Sequence, residues 1–194
     1  LDNAVRLAPG FAAAILVRGA VKDRLRDFAG AVSDYSRVLA INPRMVAAYF
    51  YRGKSRREIK DYRGALEDLN EFVEASPDHE DSVYLRGNVR FLLGDFGGAE
   101  EDLTRVIESN PGRGLAYSNR GQARAQLGDR QGALKDLGTA LKLEPSRRTQ
   151  IQAAIDSLEQ GEGPKVLAQP LPGPGPEEQR PVQRPADRVP EDAG

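Results

Sequence analysis

Along Ala47–Lys60, apolar and small residues return at three- and four-residue steps, the spacing that gathers them on one face of a helix. Asp61 follows, and its carboxylate can accept the orphan backbone N–H groups at a helix start. A second helix is predicted from there to about Ala75, where Pro77 stops it by lacking a donor and restricting the residue before it. This two-helix unit recurs. Pro9, Pro43, Pro77, Pro111 and Pro145 lie 34 residues apart, and rows of 34 starting at Ala12, Val46, Glu80 and Gly114 turn whole columns uniform. One column is Gly19, Gly53, Gly87 and Gly121; another is Asp27, Asp61, Asp95 and Asp129. Gly30, Gly64, Gly98 and Gly132 follow, then Ala31, Ala65, Ala99 and Ala133.

A glycine inside a helix costs about 1 kcal/mol relative to alanine. Two such columns point to places where the chain must approach closely. The expectation is that Gly53 on the first helix and Ala65 on the second meet where the helices cross, so that Gly53→Leu disrupts the unit.

These residues closely resemble the tetratricopeptide repeat family, a 34-residue helix–turn–helix with small residues at the crossing, a Gly-Asp-Tyr-like turn and a closing proline. The resemblance is carried by "YFYRGKSRREIKDYRGALEDLNEFVEASP" and "YSNRGQARAQLGDRQGALKDLGTALKLEP", and it covers Ala12–Arg147 as four repeats, 12–45, 46–79, 80–113 and 114–147. It implies an all-α, right-handed solenoid. One departure concerns the place late in the first helix where the family usually has an aromatic residue. Here it holds Lys22, Arg56, Arg90 and Arg124.

The ends differ from the middle. Leu1–Gly10 reads as the tail of a second helix whose first half is missing, so residues before Leu1 are expected, carrying further repeats or a catalytic domain that this array would serve as an arm. Arg147–Gln160 reads as an amphipathic closing helix (148–160 in the domain scheme), with Ile151, Ala154, Ile155 and Leu158 as its stripe, Ser146 capping its start and Gly161 its end. Gly161–Gly194 holds eight of the thirteen prolines and no aromatic residue. Such a segment cannot bury enough surface to offset chain entropy, and it is predicted to be disordered. Gln169–Pro176 within it resembles a polyproline II segment, which could serve as a ligand for another module, although a solvated linker is the favoured reading.

Composition narrows the chemistry. The formal net charge is −1, which argues against a nucleic-acid surface. There is no cysteine and only one histidine, His79, expected to be plain surface; nothing here suits a thiolate metal site or a nucleophile–histidine pair. The longest apolar run, Phe11–Val17, is far short of the ~20 residues a spanning helix needs. No catalytic residue, cofactor, metal or membrane insertion is expected.

Two candidate surfaces remain. Arg18, Arg52, Arg86 and Arg120 each precede Lys22, Arg56, Arg90 or Arg124 by four residues, a spacing at which like charges share a helix face and repel by ~0.2–0.5 kcal/mol. They could form a basic ladder for a polyanion. Asp34, Asp68, Asp102 and Asp136, one per repeat on the second helix, favour an internal ion-pair ladder with the arginines instead, leaving the later cation column as residual basic surface.

The resemblance supplies the second surface, a concave groove lined by the first helices. Its places hold Leu16, Val17 and Ala20, then Phe50, Tyr51, Lys54 and Arg57, then Tyr84, Leu85, Asn88 and Phe91, then Ser118, Asn119 and Gln122. Aromatic and amide side chains suit a partner peptide or helix; Phe50 and Tyr84 could instead pack between repeats, but the polar donors interleaved with the rings favour the groove. Some family members grip a chaperone's terminal carboxylate. The best register puts Asn88 and Asn119 at that clamp's amide places but Tyr84, Thr149 and Ala153 at its three cation places, which argues against such a ligand. The implied function is a non-catalytic protein-interaction scaffold. A third reading is self-association through an uncapped N-terminal face.

Overall fold

The computed structural model describes residues 11–161. The partial repeat read at Leu1–Gly10 and the tail after Gly161 lie outside the described residues. Among the described residues there are helices and turns and no strand. The first pair is α1 (Ala12–Arg24) and α2 (Phe28–Ile41), the second α3 (Val46–Glu58) and α4 (Tyr62–Ala75). The third is α5 (Glu80–Leu92) and α6 (Phe96–Ser109), the fourth α7 (Gly114–Gln126) and α8 (Arg130–Leu143). A single 3-10 turn, Pro145–Arg147, leads into α9 (Arg148–Glu159).

Each second helix packs on its own first helix and on the first helix of the next pair, and α9 packs on α8. Successive first helices also touch one another (α1 with α3, α3 with α5, α5 with α7), while no such run joins the second helices. The array is an all-α repeat solenoid whose turns are drawn closer on the first-helix side. That side is its inner face.

Local sequence explains the pairs. Asp27, Asp61, Asp95 and Asp129 each accept a backbone N–H three residues on, from Gly30, Gly64, Gly98 and Gly132, at 2.9–3.1 Å. A Cβ on any of those glycines would stand 2.0–2.4 Å from the capping carboxylate. The second glycine column therefore makes room for the cap and not for the helix crossing, a correction to the sequence expectation. The crossing uses the first column. A Cβ on Gly53 would lie 3.1 Å from Leu69, 3.2 Å from Asp68 and 3.3 Å from the carbonyl oxygen of Ala65. In the first pair Tyr35 takes the place of that leucine, with its ring 2.6 Å from where a Gly19 Cβ would stand.

The turn between the helices of a pair needs a left-handed residue. Arg26, Lys60, Gly94 and Gly128 fill it, with φ of 62°, 64°, 82° and 85°. At the far end, α9 buries Ile151, Ala154 and Leu158 against α8 and half-buries Ile155. Ser146 does not cap α9, because the 3-10 turn carries it away from the helix start, where Arg147 stands without a side-chain cap. Gly161 follows α9 with φ 72°.

Candidate functional site

The arginine and aspartate columns meet in every pair. The Arg18, Arg52, Arg86 and Arg120 guanidiniums each donate through Nε and Nη2 to both oxygens of Asp34, Asp68, Asp102 and Asp136, respectively, at 2.5–2.9 Å. This fork geometry is the strong form of the arginine–carboxylate pair. The carboxylates are almost wholly enclosed.

The later cation column is not residual surface. Lys22, Arg56, Arg90 and Arg124 reach the same four aspartates at 2.9–3.1 Å, so each carboxylate holds two cations. Lys22, Arg56 and Arg90 also donate to the carbonyls of Gly30, Gly64 and Gly98, and Arg124 to Glu100. A basic side chain here takes over the helix-pairing place that the family fills with an aromatic ring. It does so by hydrogen bonding and charge, and the second-helix aspartate is its counterpart.

Burial at Asp34 pushes its carboxyl upward, but hydrogen bonds from Arg18 and Lys22 and their charges more than offset this and hold it below the ordinary carboxylate range. The arginines also reach back one pair. Arg52 donates to Ser36, Arg86 to Asn70 and Arg120 to Thr104, at 3.2–3.3 Å. These three acceptors share a 34-residue column of hydrogen-bonding side chains, a signal present in the sequence that column reading passed over.

The inner face is uneven. On α3, Tyr51 and Lys54 are exposed, while Phe50 and Arg57 are half-buried, with Arg57 donating to Glu58. Phe50 sits 5.1 Å from Phe72 and 5.3 Å from His79, ring centre to ring centre. His79 is exposed, as expected, and has a local role as well. Its Nδ1 accepts the Ser82 N–H at 3.2 Å and so caps α5. Leu85 and Phe91 are buried in helix packing, Leu85 with Ala65, Leu69 and Val89, Phe91 with Ala99 and Ala123. For these two the apolar side chain is taken up by the neighbouring helices and leaves nothing for an open groove.

Tyr84, Asn88, Asn119 and Gln122 form a polar group at the α5–α7 contact, all buried. Asn119 Nδ2 donates to the Tyr84 hydroxyl at 2.9 Å and to Asn88 Oδ1 at 2.8 Å. Two atoms in this group, Asn88 Nδ2 and Gln122 Oε1, are enclosed and have no hydrogen-bond partner. Buried polar atoms are nearly always paired, and these two have no protein partner at hydrogen-bond distance. Arg113 lies over the Tyr84 ring, 4.1 Å from its centre, while pairing with Glu80 and Asp81. Burial raises the Tyr84 phenol, and the neighbouring Asn88 side chain, followed by the charges of Arg113, Arg57 and Arg147, offsets part of that rise. Thr149 and Ala153, at two of the clamp's cation places, are exposed on α9.

Among the described residues no helix is long and apolar enough to cross a membrane. Family models described as tetratricopeptide repeat match residues 16–80 and 114–147, together just over half of the chain. No curated protein sequence matches it. Several solved structures share the fold. MamA from Desulfovibrio magneticus, residues 41 to its end, is similar with a TM-score of 0.69 at 22% identity, over 74% of this chain and 81% of its own. YrrB, described as a TPR protein with an unusual peptide-binding site, gives 0.69 at 18% identity over 86% of both chains. The first TPR of Spaghetti (RPAP3), bound to the HSP90 peptide SRMEEVD, gives 0.56 at 25% identity, over 60% of this chain and 91% of its own.

Proposed function

The chain belongs to the tetratricopeptide repeat family, and from that premise we propose that it is a non-catalytic scaffold holding an extended segment of a partner protein along its inner face. In this reading the repeats 12–45, 46–79, 80–113 and 114–147 form the recognition body and 148–160 closes it. The contact runs over the exposed Tyr51 and Lys54 and the half-buried Phe50 and Arg57, and reaches the buried Tyr84, Asn88, Asn119 and Gln122 where their side chains turn outward.

The observation that carries the reading is the unpartnered pair, one donor on Asn88 and one acceptor on Gln122. An extended main chain offers a carbonyl to the first and an N–H to the second once the side chains turn toward it, whereas a helix has spent those groups internally. The solved relatives YrrB and Spaghetti, both described with peptide sites, support the class of ligand. Tyr84, Thr149 and Ala153 stand where a carboxylate clamp needs cations, so the segment is read through its backbone and not through a chain terminus.

Selection of a peptide library on the intact chain, followed by titration of the enriched peptides, tests this. The expected result is binding that falls about 5- to 30-fold on Tyr51→Ala with unchanged melting, since Tyr51 is exposed and one lost aromatic contact is worth about 1–2 kcal/mol. Equal affinity of folded variant and parent would remove the inner face from the account.

A further inference from the structure

Three columns of the repeat break where the first two pairs meet. The place of Leu69, Leu103 and Leu137 is taken in the first pair by Tyr35, and that of Val21, Val89 and Ala123 is taken in the second by Ser55. Asp23, near the end of α1, has Arg57, Phe91 and Ala125 as its later counterparts. The fold brings all three together. Ser55 Oγ donates to one Asp23 oxygen at 2.6 Å and the Tyr35 hydroxyl donates to the other at 3.1 Å. Both donors are fully enclosed. Burial, and after it the Asp23 charge, pushes the Tyr35 phenol upward, so it keeps its proton. Tyr51 stands beside them, its ring stacked on Tyr35 at 5.8 Å and 24° and still exposed. The Ser55–Asp23 bond runs between α3 and α1, on the side where first helices touch one another, so the group lies at the inner face.

Asp23 is half-buried and lacks what the fold gives its enclosed carboxylates. Asp34, Asp68, Asp102 and Asp136 each hold two cations, whereas among the described residues Asp23 pairs with none. The inner-face bases Lys54 and Arg57 do not supply one, and Arg57 pairs with Glu58. Two neutral hydroxyls fix the direction of the carboxylate and leave its charge unmet, with room on each oxygen for a second donor. We infer that Asp23 and the exposed Tyr51 ring hold a basic side chain, arginine before lysine, of the extended segment bound along the inner face. This rests on the proposed scaffold role and adds the chemistry of one contact. A guanidinium is flat, stacks on an aromatic ring and presents paired N–H groups to a carboxylate, whereas an ammonium is a point charge without that shape. Tyr35 and Ser55 already hold Asp23, and Tyr35 braces the Tyr51 ring, so little ordering is left for binding to impose.

The peptides enriched on the intact chain test this when each arginine is replaced in turn by citrulline and each lysine by acetyl-lysine, which remove the charge and keep most of the shape. At one register the replacement should weaken binding to the parent chain about 10-fold, the scale of a lost charged hydrogen bond. Lysine in place of arginine at that register should lose about 3-fold. On Asp23→Asn the charged and neutral peptides should differ by no more than about 2-fold, because their difference is read through the carboxylate. The peptide arm uses the parent chain and stands whether or not that variant melts as the parent does. Enriched peptides without a basic residue, neutral peptides that bind the parent as well as the charged ones, or a full-sized difference that persists on folded Asp23→Asn would each overturn the assignment and leave the groove in place. A chain that enriches no peptide would remove the groove and this contact with it.

Discussion

Asp34 takes two cations into one enclosed carboxylate, and the balance of forces there makes a prediction about acid. Burial alone would favour the neutral acid, but Arg18 and Lys22 win, and the folded carboxyl sits below its ordinary value. Such a group stabilises the fold fully above the unfolded value of about 3.9, and the contribution is lost as pH falls through the lower, folded value. Asp34→Asn should therefore be markedly less stable than the parent at pH 7, by about 2–3 kcal/mol, the scale for removing charged hydrogen bonds from enclosed arginines. The gap should close once the pH drops below the folded value. Urea titrations at a series of pH values would check it; a gap that stays constant down to pH 2 would show that charge is not what Asp34 contributes.

At the scale of the element, the four intra-pair turns are the same turn made from different residues. Gly94 and Gly128 take the left-handed conformation freely, while Arg26 and Lys60 hold it against the clash of their Cβ atoms. Lys60→Gly is expected to raise stability by about 0.5–1 kcal/mol, the strain relief exceeding the extra chain entropy that glycine brings to the unfolded state. A fall in denaturation midpoint would count against that balance. The two glycine columns should also respond differently. Gly53 faces Leu69, Asp68 and a carbonyl of Ala65 that cannot step aside, so Gly53→Leu should cost about 3 kcal/mol or more by overpacking. Gly64→Ala gains helix propensity of about 1 kcal/mol and loses a cap of similar worth, so it should change stability little. Denaturation of the two variants side by side would settle whether crossing and cap are separable.

For the whole molecule, stability follows the chain of neighbours. Each pair contacts only the pairs beside it, and the seams carry the Arg52–Ser36, Arg86–Asn70 and Arg120–Thr104 hydrogen bonds together with the apolar clusters. In such an array a middle unit is held from both sides and an end unit from one. Amide exchange should therefore be slowest in α5, α6 and α7, where the inner residues are most completely buried, and faster in α9, which among the described residues packs on α8 and the turn before it. Uniform exchange along the array would mean that the repeats unfold as a single unit.

Much of this was legible before any coordinates. A period of 34 with invariant proline, aspartate and glycine places dictates paired helices, because each signal acts on its own few residues: the cap on three backbone groups, the proline on one donor, the glycine on one contact. The repeat also gave away its ion pairs, since four acids and four arginines in fixed columns have few other ways to meet. What the sequence could not decide was which member of a periodic pair is left facing water. Leu85 stands 34 residues after the exposed Tyr51, at the same place of its repeat, yet adjoining helices enclose it and Phe91, and only the packing between pairs determines that. The same holds for Lys22, Arg56, Arg90 and Arg124, whose second claim on the aspartates depends on how close two helices lie. His79 became a cap only because a turn brought its ring nitrogen to an N–H. Local rules specify the helices; the distances between helices, set by the whole set of side chains at once, choose what each surface residue touches.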